Sequence, residues 1–232
     1  MTQVSFLRHG AFFGPEDAED KTLCIIGAGA TGSWVALTAA KMGWHNFQLW
    51  DSDSVESHNL PNQAFDAGHV GQKKVDALES VLQAFNPSVQ ITKFDCFFDA
   101  ANPEHLSELT DYLFIAVDSL DTRKAIYSSI KLNPFIELVF ETRIGFTHAE
   151  LNIVSPKEIN KIDEILNTIK TDKEVVEAAC NERIISTLVM IVSAVLVHQL
   201  CYHAASGRNK TEPTDANKTI FSLNPTLTMF TV

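Results

Sequence analysis

The 232-residue chain contains only four cysteines, and they are far apart. Cys24, Cys96, Cys180 and Cys201 form no C-x-x-C pair, the spacing that structural zinc sites commonly use. Small domains held together by disulfides are much richer in cysteine. We therefore expect neither a structural zinc ion nor a disulfide framework.

Positive charge is also scarce, with 18 lysines and arginines against 29 aspartates and glutamates, a formal net charge of −11. This balance repels the phosphate backbone of nucleic acids, and no cluster of lysines and arginines stands out against it. We therefore expect no nucleic-acid partner.

The chain lacks an apolar segment as long as a typical membrane span. The most apolar stretch, residues 184–197, includes two serines and a threonine and is followed by His198 and Gln199. A spanning helix needs about 20 mostly apolar residues. We predict a helix buried in a core or homodimer interface, without membrane insertion. No basic and apolar signal segment begins the chain, so the expected location is the cytoplasm.

What the chain does contain is an alternation of short apolar runs with helical patterns, which is typical of an α/β protein. Strands are predicted at residues 22–27, 46–51, 89–94, 112–117 and 135–141, and helices at 30–43, 71–85 and 122–132. This order predicts a Rossmann-like, doubly wound, mostly parallel sheet with helices on both faces.

The remaining chain extends this core, and we predict one domain over residues 1–232. An N-terminal arm (1–20) precedes the core (21–145). Residues 146–232 contain an extra strand (147–154), a polar crossover with helical periodicity (155–180), the apolar helix (183–205) and two short C-terminal strands (219–232).

A glycine-rich turn follows the first predicted strand and opens a helix. It contains Gly27, Gly29 and Gly32, and N–H groups at such a helix start can bind phosphate. The second strand ends in Asp51, 24 residues after Gly27, where a Rossmann unit places the acid that accepts the ribose hydroxyls. These residues predict a nucleotide site.

The segment after that acid is unusual for a dehydrogenase. Residues 51–63 read DSDSVESHNLPNQ, and Gly71-Gln72-Lys73-Lys74 opens the next helix. This arrangement resembles the ThiF/MoeB/HesA superfamily, the fold of ubiquitin-activating enzymes, with its D-x-D-x-V-x-x-x-N-L-x-R-Q and G-x-x-K motifs. The match is good over residues 20–145 and looser beyond. It implies a homodimer that uses ATP and Mg²⁺ to adenylate the C-terminal carboxylate of a small ubiquitin-like or sulfur-carrier protein or a peptide.

The resemblance also implies residue roles, each with a simpler alternative. Asp118 would hold magnesium, or cap the following helix. Lys74 would reach the β- and γ-phosphates, or be a solvated helix lysine, with Lys73 beside it. Asp53 would lie near the metal, or form an Asx turn. Arg123 would lie near Asp118, or pair with Asp121 or Glu141.

Further residues matching the family motif are Asn59 and Gln63, which would lie near the phosphates or stabilise their loop. Cys180 occupies the region where several superfamily enzymes carry a cysteine that receives the activated carboxyl group or exchanges sulfur. A thiolate near Arg183 and a helix N-terminus would be activated for this chemistry. The alternative, that Cys180 only packs, stays open, whereas Cys24 and Cys201 are expected to be inert.

One departure from the motif is Asn62, which stands where the family has an arginine that helps to hold the triphosphate. A similar N-Q ending is a feature of short, phage-type or mobile-element-type members. A neutral amide lacks charge-assisted strength. The candidates for a substitute cation are Arg8, Arg123, Arg143 and Lys73, and the sequence alone does not choose among them.

Three other functions are compatible with the sequence. One is a peptide- or RNA-modifying member of the same fold. A second is a dimeric binding module with weak or no catalysis. A third is an NAD-dependent oxidoreductase, which would have no use for Lys74 or Asp118.

Overall fold

The computed structural model describes residues 4–145, 147–170, 185–205, 218–223 and 226–231. Within these residues, eight strands form one sheet in the order β3-β2-β1-β4-β5-β6-β7-β8. The strands are β1 (Thr22–Ile26), β2 (Asn46–Trp50), β3 (Gln90–Phe94), β4 (Asp111–Ile115), β5 (Ile136–Ile144), β6 (His148–Val154), β7 (Lys218–Leu223) and β8 (Leu227–Thr231).

The first five strands pair in parallel, and β6, β7 and β8 add an antiparallel extension. This confirms the predicted Rossmann-like sheet with extra C-terminal strands. The helices are α1 (Ala30–Met42), α2 (Lys74–Phe85), α3 (Pro103–Ser107), α4 (Leu120–Ser129), α5 (Ile159–Thr168) and α6 (Ile185–Ala204).

Helices cover both faces of the sheet, and the alternation of side chains in β1 shows why. Leu23 and Ile25 face a core built with α1, α2 and α6. Cys24 and Ile26 face a second core built with α4 and α5. Because successive side chains of a strand point to opposite faces, a strand buried on both sides needs a continuous apolar run, as β1 has.

Helix α6 packs on α1, β5 and β6. Leu188, Val192 and Leu196 recur at helical spacing and are fully buried. Its residues Ser186–Ala204 have a mean hydropathy of 1.6, so by length and composition this helix could also cross a membrane. That test is weak evidence, because a core helix of a soluble protein passes it too. The contacts with α1 and the sheet support the prediction of a buried helix.

The N-terminal arm packs against the sheet and α1. Phe13 is fully buried and stacks on Trp44, with ring centroids 5.9 Å apart. A short 3-10 helix (Pro15–Asp17) follows. The short helix α3 was not predicted, although Asn102 accepts a hydrogen bond from the backbone N–H of Glu104 and Pro103 occupies the first turn, both typical helix-start signals.

Candidate functional site

A cavity of about 750 Å³ lies beyond the carboxyl ends of β1, β2 and β4. In open α/β sheets this edge is where ligands bind, and the volume lies in the range of roughly 300–1,000 Å³ that is typical of small-molecule sites. The cavity is bordered by Gly29, Asp51, Lys74, Asp118 and Arg143, among other residues. The fold thus brings together residues that are distant in the sequence.

The glycine turn forms the floor of this cavity. Gly27 has a φ of +102°, which favours glycine, and a Cβ there would lie 2.7 Å from the carbonyl oxygen of Ala116. A Cβ at Gly32 would overlap the carbonyl oxygen of Gly27, whereas one at Gly29 would meet no atom within 4 Å. Gly27 and Gly32 therefore allow the close approach of turn, helix and β4, while Gly29 leaves open space for a ligand.

Asp51 holds the turn and the following loop together. Its Oδ2 accepts a hydrogen bond from the N–H of Ala28 (2.7 Å), and its Oδ1 accepts one from the N–H of Asp53 (2.9 Å). The carboxylate of Asp53 instead accepts a hydrogen bond from Lys74 Nζ at 2.7 Å. The Asx-type hydrogen bond therefore belongs to Asp51, and Asp53 forms an ion pair.

The two neighbouring lysines differ in position. Lys74 borders the cavity, and its side chain is only 10% exposed. Lys73 lies outside the cavity lining, where its Nζ donates to the carbonyl oxygen of Ser52 (2.8 Å) and pairs with Asp95 (3.0 Å). Of the two, only Lys74 is placed to contact a ligand in the cavity.

The polar residues of the motif loop also border the cavity. Asn59 accepts a hydrogen bond from the N–H of Glu56 (2.9 Å), which supports the loop-stabilising alternative. The carbonyl oxygen of Asn62 accepts a hydrogen bond from Trp34 Nε1 (3.1 Å), which ties the loop to α1. Asn62 Oδ1 and Gln63 Oε1 are buried and have no hydrogen-bond partner in the described part of the chain.

Asp118 does not cap α4. The N-cap is Ser119, whose side chain accepts a hydrogen bond from the N–H of Thr122 (3.1 Å). Asp118 is exposed at the cavity, and its Oδ1 accepts a hydrogen bond from the N–H of Ser119 (2.8 Å). The capping alternative is therefore wrong for Asp118.

Arg123 is buried and holds the ends of β4 and β5 together. It donates to the carbonyl oxygens of Val117 and Thr142 and to the carboxylate of Glu141. The predicted ion pair with Glu141 is thus present, but in the interior and not on the surface. Through these contacts both terminal nitrogens hold the segment before Asp118 in place, and Arg123 also borders the cavity.

Sequence reasoning missed the residues at the other end of the cavity. Cys96, Phe97 and Phe98 follow β3 and border it, and Phe97 is 79% exposed. Val189 of α6 borders it as well. The position of an aromatic pair just after a parallel strand was the signal available for Phe97 and Phe98. For Val189 the sequence offered none, because the contact depends on how α6 packs.

Besides Cys96 at the cavity, two further cysteines are described, and both are buried. Burial raises the pKa of the Cys24 thiol far above its usual range, and burial raises that of Cys201 to about 12. Both thiols stay protonated and unreactive at neutral pH, as expected. Cys180 and Arg183 lie outside the described residues.

The cavity suits a nucleotide. The glycine turn leaves room for phosphates at Gly29, and Asn62 and Gln63 add neutral amide side chains to the cavity lining. Within the described residues, no group of three or more metal-ligating side chains occurs. Magnesium often needs only one or two carboxylates in addition to phosphate oxygens and water, and the exposed Asp118 fits that pattern.

Comparisons with known proteins agree with this architecture. The model of the ThiF family matches residues 8–232. Ubiquitin-like modifier-activating enzyme 5 of Bombyx mori is 27% identical over 168 residues, which cover 67% of this chain and 42% of that enzyme. A tRNA threonylcarbamoyladenosine dehydratase of Haemophilus influenzae is 27% identical over 113 residues, 48% of this chain and 43% of that protein. The chain therefore spans less than half the length of these relatives.

Two solved structures share the fold. PaaA superimposes with a TM-score of 0.71 at 21% identity, covering 96% of this chain and 67% of that one. Escherichia coli MccB, in a crystal structure with ATP, gives a TM-score of 0.71 at 14% identity, covering 94% of this chain and 65% of that one.

Proposed function

Because this chain belongs to the ThiF family, we propose that it is an ATP-dependent adenylyltransferase. Its substrate would be the C-terminal carboxylate of a small ubiquitin-like or sulfur-carrier protein or a peptide. Similarity to a ubiquitin-like modifier-activating enzyme supports the first class of substrate. The fold shared with MccB, which was crystallised with its MccA peptide, supports the second.

The observation that carries the proposal is that one cavity holds both the glycine turn and the exposed carboxylate of Asp118. In adenylation, a carboxylate oxygen attacks the α-phosphorus of ATP, the bond to the β-phosphate oxygen breaks, and pyrophosphate leaves. Such a site must bind the nucleotide and neutralise phosphate charge, and few protein atoms react covalently. The cavity offers groups for both tasks.

Each side chain has a place in this scheme. N–H groups at the start of α1 would bind phosphate, and Asp51 would accept the ribose hydroxyls. Lys74 would leave Asp53 and contact a phosphate oxygen. Magnesium would be held by Asp118, and when bound it offsets the charge of the phosphates.

The direct test is ATP–pyrophosphate exchange with a pool of short synthetic peptides that have free C-terminal carboxylates. The same peptides with C-terminal amides are the matched control. We expect magnesium-dependent exchange with the free carboxylates alone. Exchange that is equal with the amides would contradict carboxylate activation.

We also propose that the protein forms a homodimer through β8. The β3 edge of the sheet carries Lys93, which pairs with Asp76 and Glu79 (both 2.6 Å) and so discourages strand pairing. The β8 edge carries no charged residue, and Met229 and Phe230 are 52% and 56% exposed. An uncharged strand is where two copies with a net charge of −11 can meet with least repulsion.

The dimer is tested by light scattering of the native protein and of Met229→Lys. We expect a native dimer and a monomeric variant, since a lysine would be buried in the interface. Glu150, on β6, pairs with Lys218 and provides a control, because Glu150→Gln leaves the β8 edge unchanged. A native monomer would contradict the proposal.

The weak binding module remains a second candidate because Asn62 is neutral. Isothermal titration with ATP separates the two, since a module without catalysis would bind ATP weakly or not at all. The RNA-modifying alternative is disfavoured by the net charge of −11.

A further inference from the structure

A cluster of two arginines and one glutamate adjoins the cavity. Glu141 of β5 is fully buried, and its carboxylate accepts hydrogen bonds from Arg123, from Arg143 Nε (2.9 Å) and from Asn152 Nδ2 (2.7 Å). One negative charge therefore faces two guanidinium groups. These three groups are largely shielded from water. The charge of the second arginine therefore attracts a nearby anion more strongly than it would in water.

The two arginines of this cluster are not equivalent. Arg123 is 7% exposed, and only its Nε has no hydrogen-bond partner in the described part of the chain. Both arginines border the cavity, and Arg143 is the more exposed of the two, at 18%. It donates through Nε to Glu141 and through Nη1 to Thr168 Oγ1 (2.7 Å), while Nη2 has no partner among the described residues. Nη2 of Arg143 is therefore a buried donor at the edge of the cavity whose hydrogen-bonding capacity is unsatisfied among the described residues.

The other candidate cations are occupied or outside the cavity. Lys74 borders it but pairs with Asp53 (2.7 Å) and lies 4.0 Å from Asp51. Lys73 pairs with Asp95, and Arg8, an exposed residue of the arm, is not part of the cavity lining of its own chain. Among the described residues, Arg143 is therefore the cation that we assign to an anion in this cavity.

Arg123 also fixes where Arg143 lies relative to Asp118. Its guanidinium bridges the carbonyl oxygens of Val117 and Thr142, which immediately precede Asp118 and Arg143. The carboxylate and the guanidinium are thus presented from adjacent strand ends. A phosphate chain that reaches Asp118 through magnesium would pass close to Arg143.

We propose that Arg143 binds the phosphates of ATP and supplies the charge that Asn62 lacks. This inference rests on the proposed nucleotide site and identifies the residue that completes it. A guanidinium donates two parallel hydrogen bonds to phosphate oxygens, which the amide of Asn62 cannot match. The family motif has its phosphate-binding arginine in the loop after β2. In this chain the corresponding charge would come from the end of β5.

The test is isothermal titration of the full chain with MgATP and with AMP. Hydrogen bonds to charged groups imply that Arg143→Gln weakens MgATP binding about 10- to 100-fold. We expect a much smaller effect on AMP, which lacks the β- and γ-phosphates. Arg143→Lys should keep part of the affinity, because the charge remains and the bidentate geometry is lost.

The most informative measurement uses a double variant. Asn62→Arg in the Arg143→Gln background should restore at least tenfold of the lost MgATP affinity, because it places a cation elsewhere in the lining of the same cavity. Thermal melting of each variant reports on folding. MgATP binding by Arg143→Gln at native affinity, an equal loss of AMP binding, or no recovery in the double variant would overturn the inference. Failure of the native protein to bind MgATP would instead contradict the proposed function itself.

Discussion

The two sides of the cavity are built in different ways. On the glycine side, the turn after β1 and the loop after β2 offer backbone N–H groups and neutral amides, including Asn62 and Gln63. On the arginine side, the ends of β4 and β5 offer Asp118, Arg143 and the buried pair of Arg123 with Glu141. The backbone of the turn shapes the first side, whereas ion pairs between side chains of β5 and α4 set the charge of the second.

The largest effect is expected on the arginine side. Asp118→Ala removes the carboxylate assigned to magnesium, so we expect ATP–pyrophosphate exchange to fall about a thousandfold while the fold is retained. Asp121→Ala is the control, because Asp121 lies in the same segment but does not border the cavity. Exchange at the native rate in Asp118→Ala would contradict the assignment.

Arg123→Gln should mainly affect stability. The substitution removes a buried partner of Glu141 and the bridge between Val117 and Thr142, so we expect a loss of about 3 kcal/mol in the free energy of unfolding. Chemical denaturation measures it. A stable variant that has lost only ATP affinity would show instead that Arg123 contacts the substrate.

On the glycine side, two alanine substitutions should separate folding from binding. Gly32→Ala places a Cβ against the carbonyl oxygen of Gly27, so we expect a loss of about 2 kcal/mol in the free energy of unfolding. Gly29→Ala meets no atom within 4 Å, so it should leave the melting temperature unchanged and weaken ATP binding. The reverse pattern would show that the phosphates do not lie over this turn.

The smallest effect is expected from substitution of the two neighbouring lysines, which should differ in their effect on MgATP binding. Lys74→Ala should weaken MgATP binding roughly tenfold, because it removes a cation from the cavity. Lys73→Ala should change little, since an exposed ion pair such as Lys73–Asp95 contributes at most about 1 kcal/mol. Isothermal titration of both variants with MgATP measures the difference. Equal losses of affinity would indicate that both substitutions disturb the start of α2.

The sequence predicted the glycine side better than the arginine side, for a physical reason. The turn at Gly27 and the acid at Asp51 depend on neighbours along the chain, and local spacing reveals such features. Glu141 meets Arg123, Arg143 and Asn152 only after β4, β5 and β6 have paired. The sequence offered Glu141 as one possible partner of Arg123, but no local pattern showed that the pair would be buried or that Asn152 would join it.

Local sequence patterns also left roles undecided where two polar residues are adjacent in the sequence. Ser119 caps α4 one residue after Asp118, and a sequence pattern could not tell which of the two did so. Lys73 and Lys74 likewise point to different surroundings because successive side chains at a helix start diverge. Only the folded chain distinguishes them.

The central claim is that the cavity binds ATP with magnesium. It is tested most directly by isothermal titration of the purified protein with ATP and with NAD, each in the presence of magnesium and after its removal by a chelator. We expect ATP binding that magnesium strengthens and no binding of NAD. NAD binding without ATP binding, or binding of neither nucleotide, would contradict it.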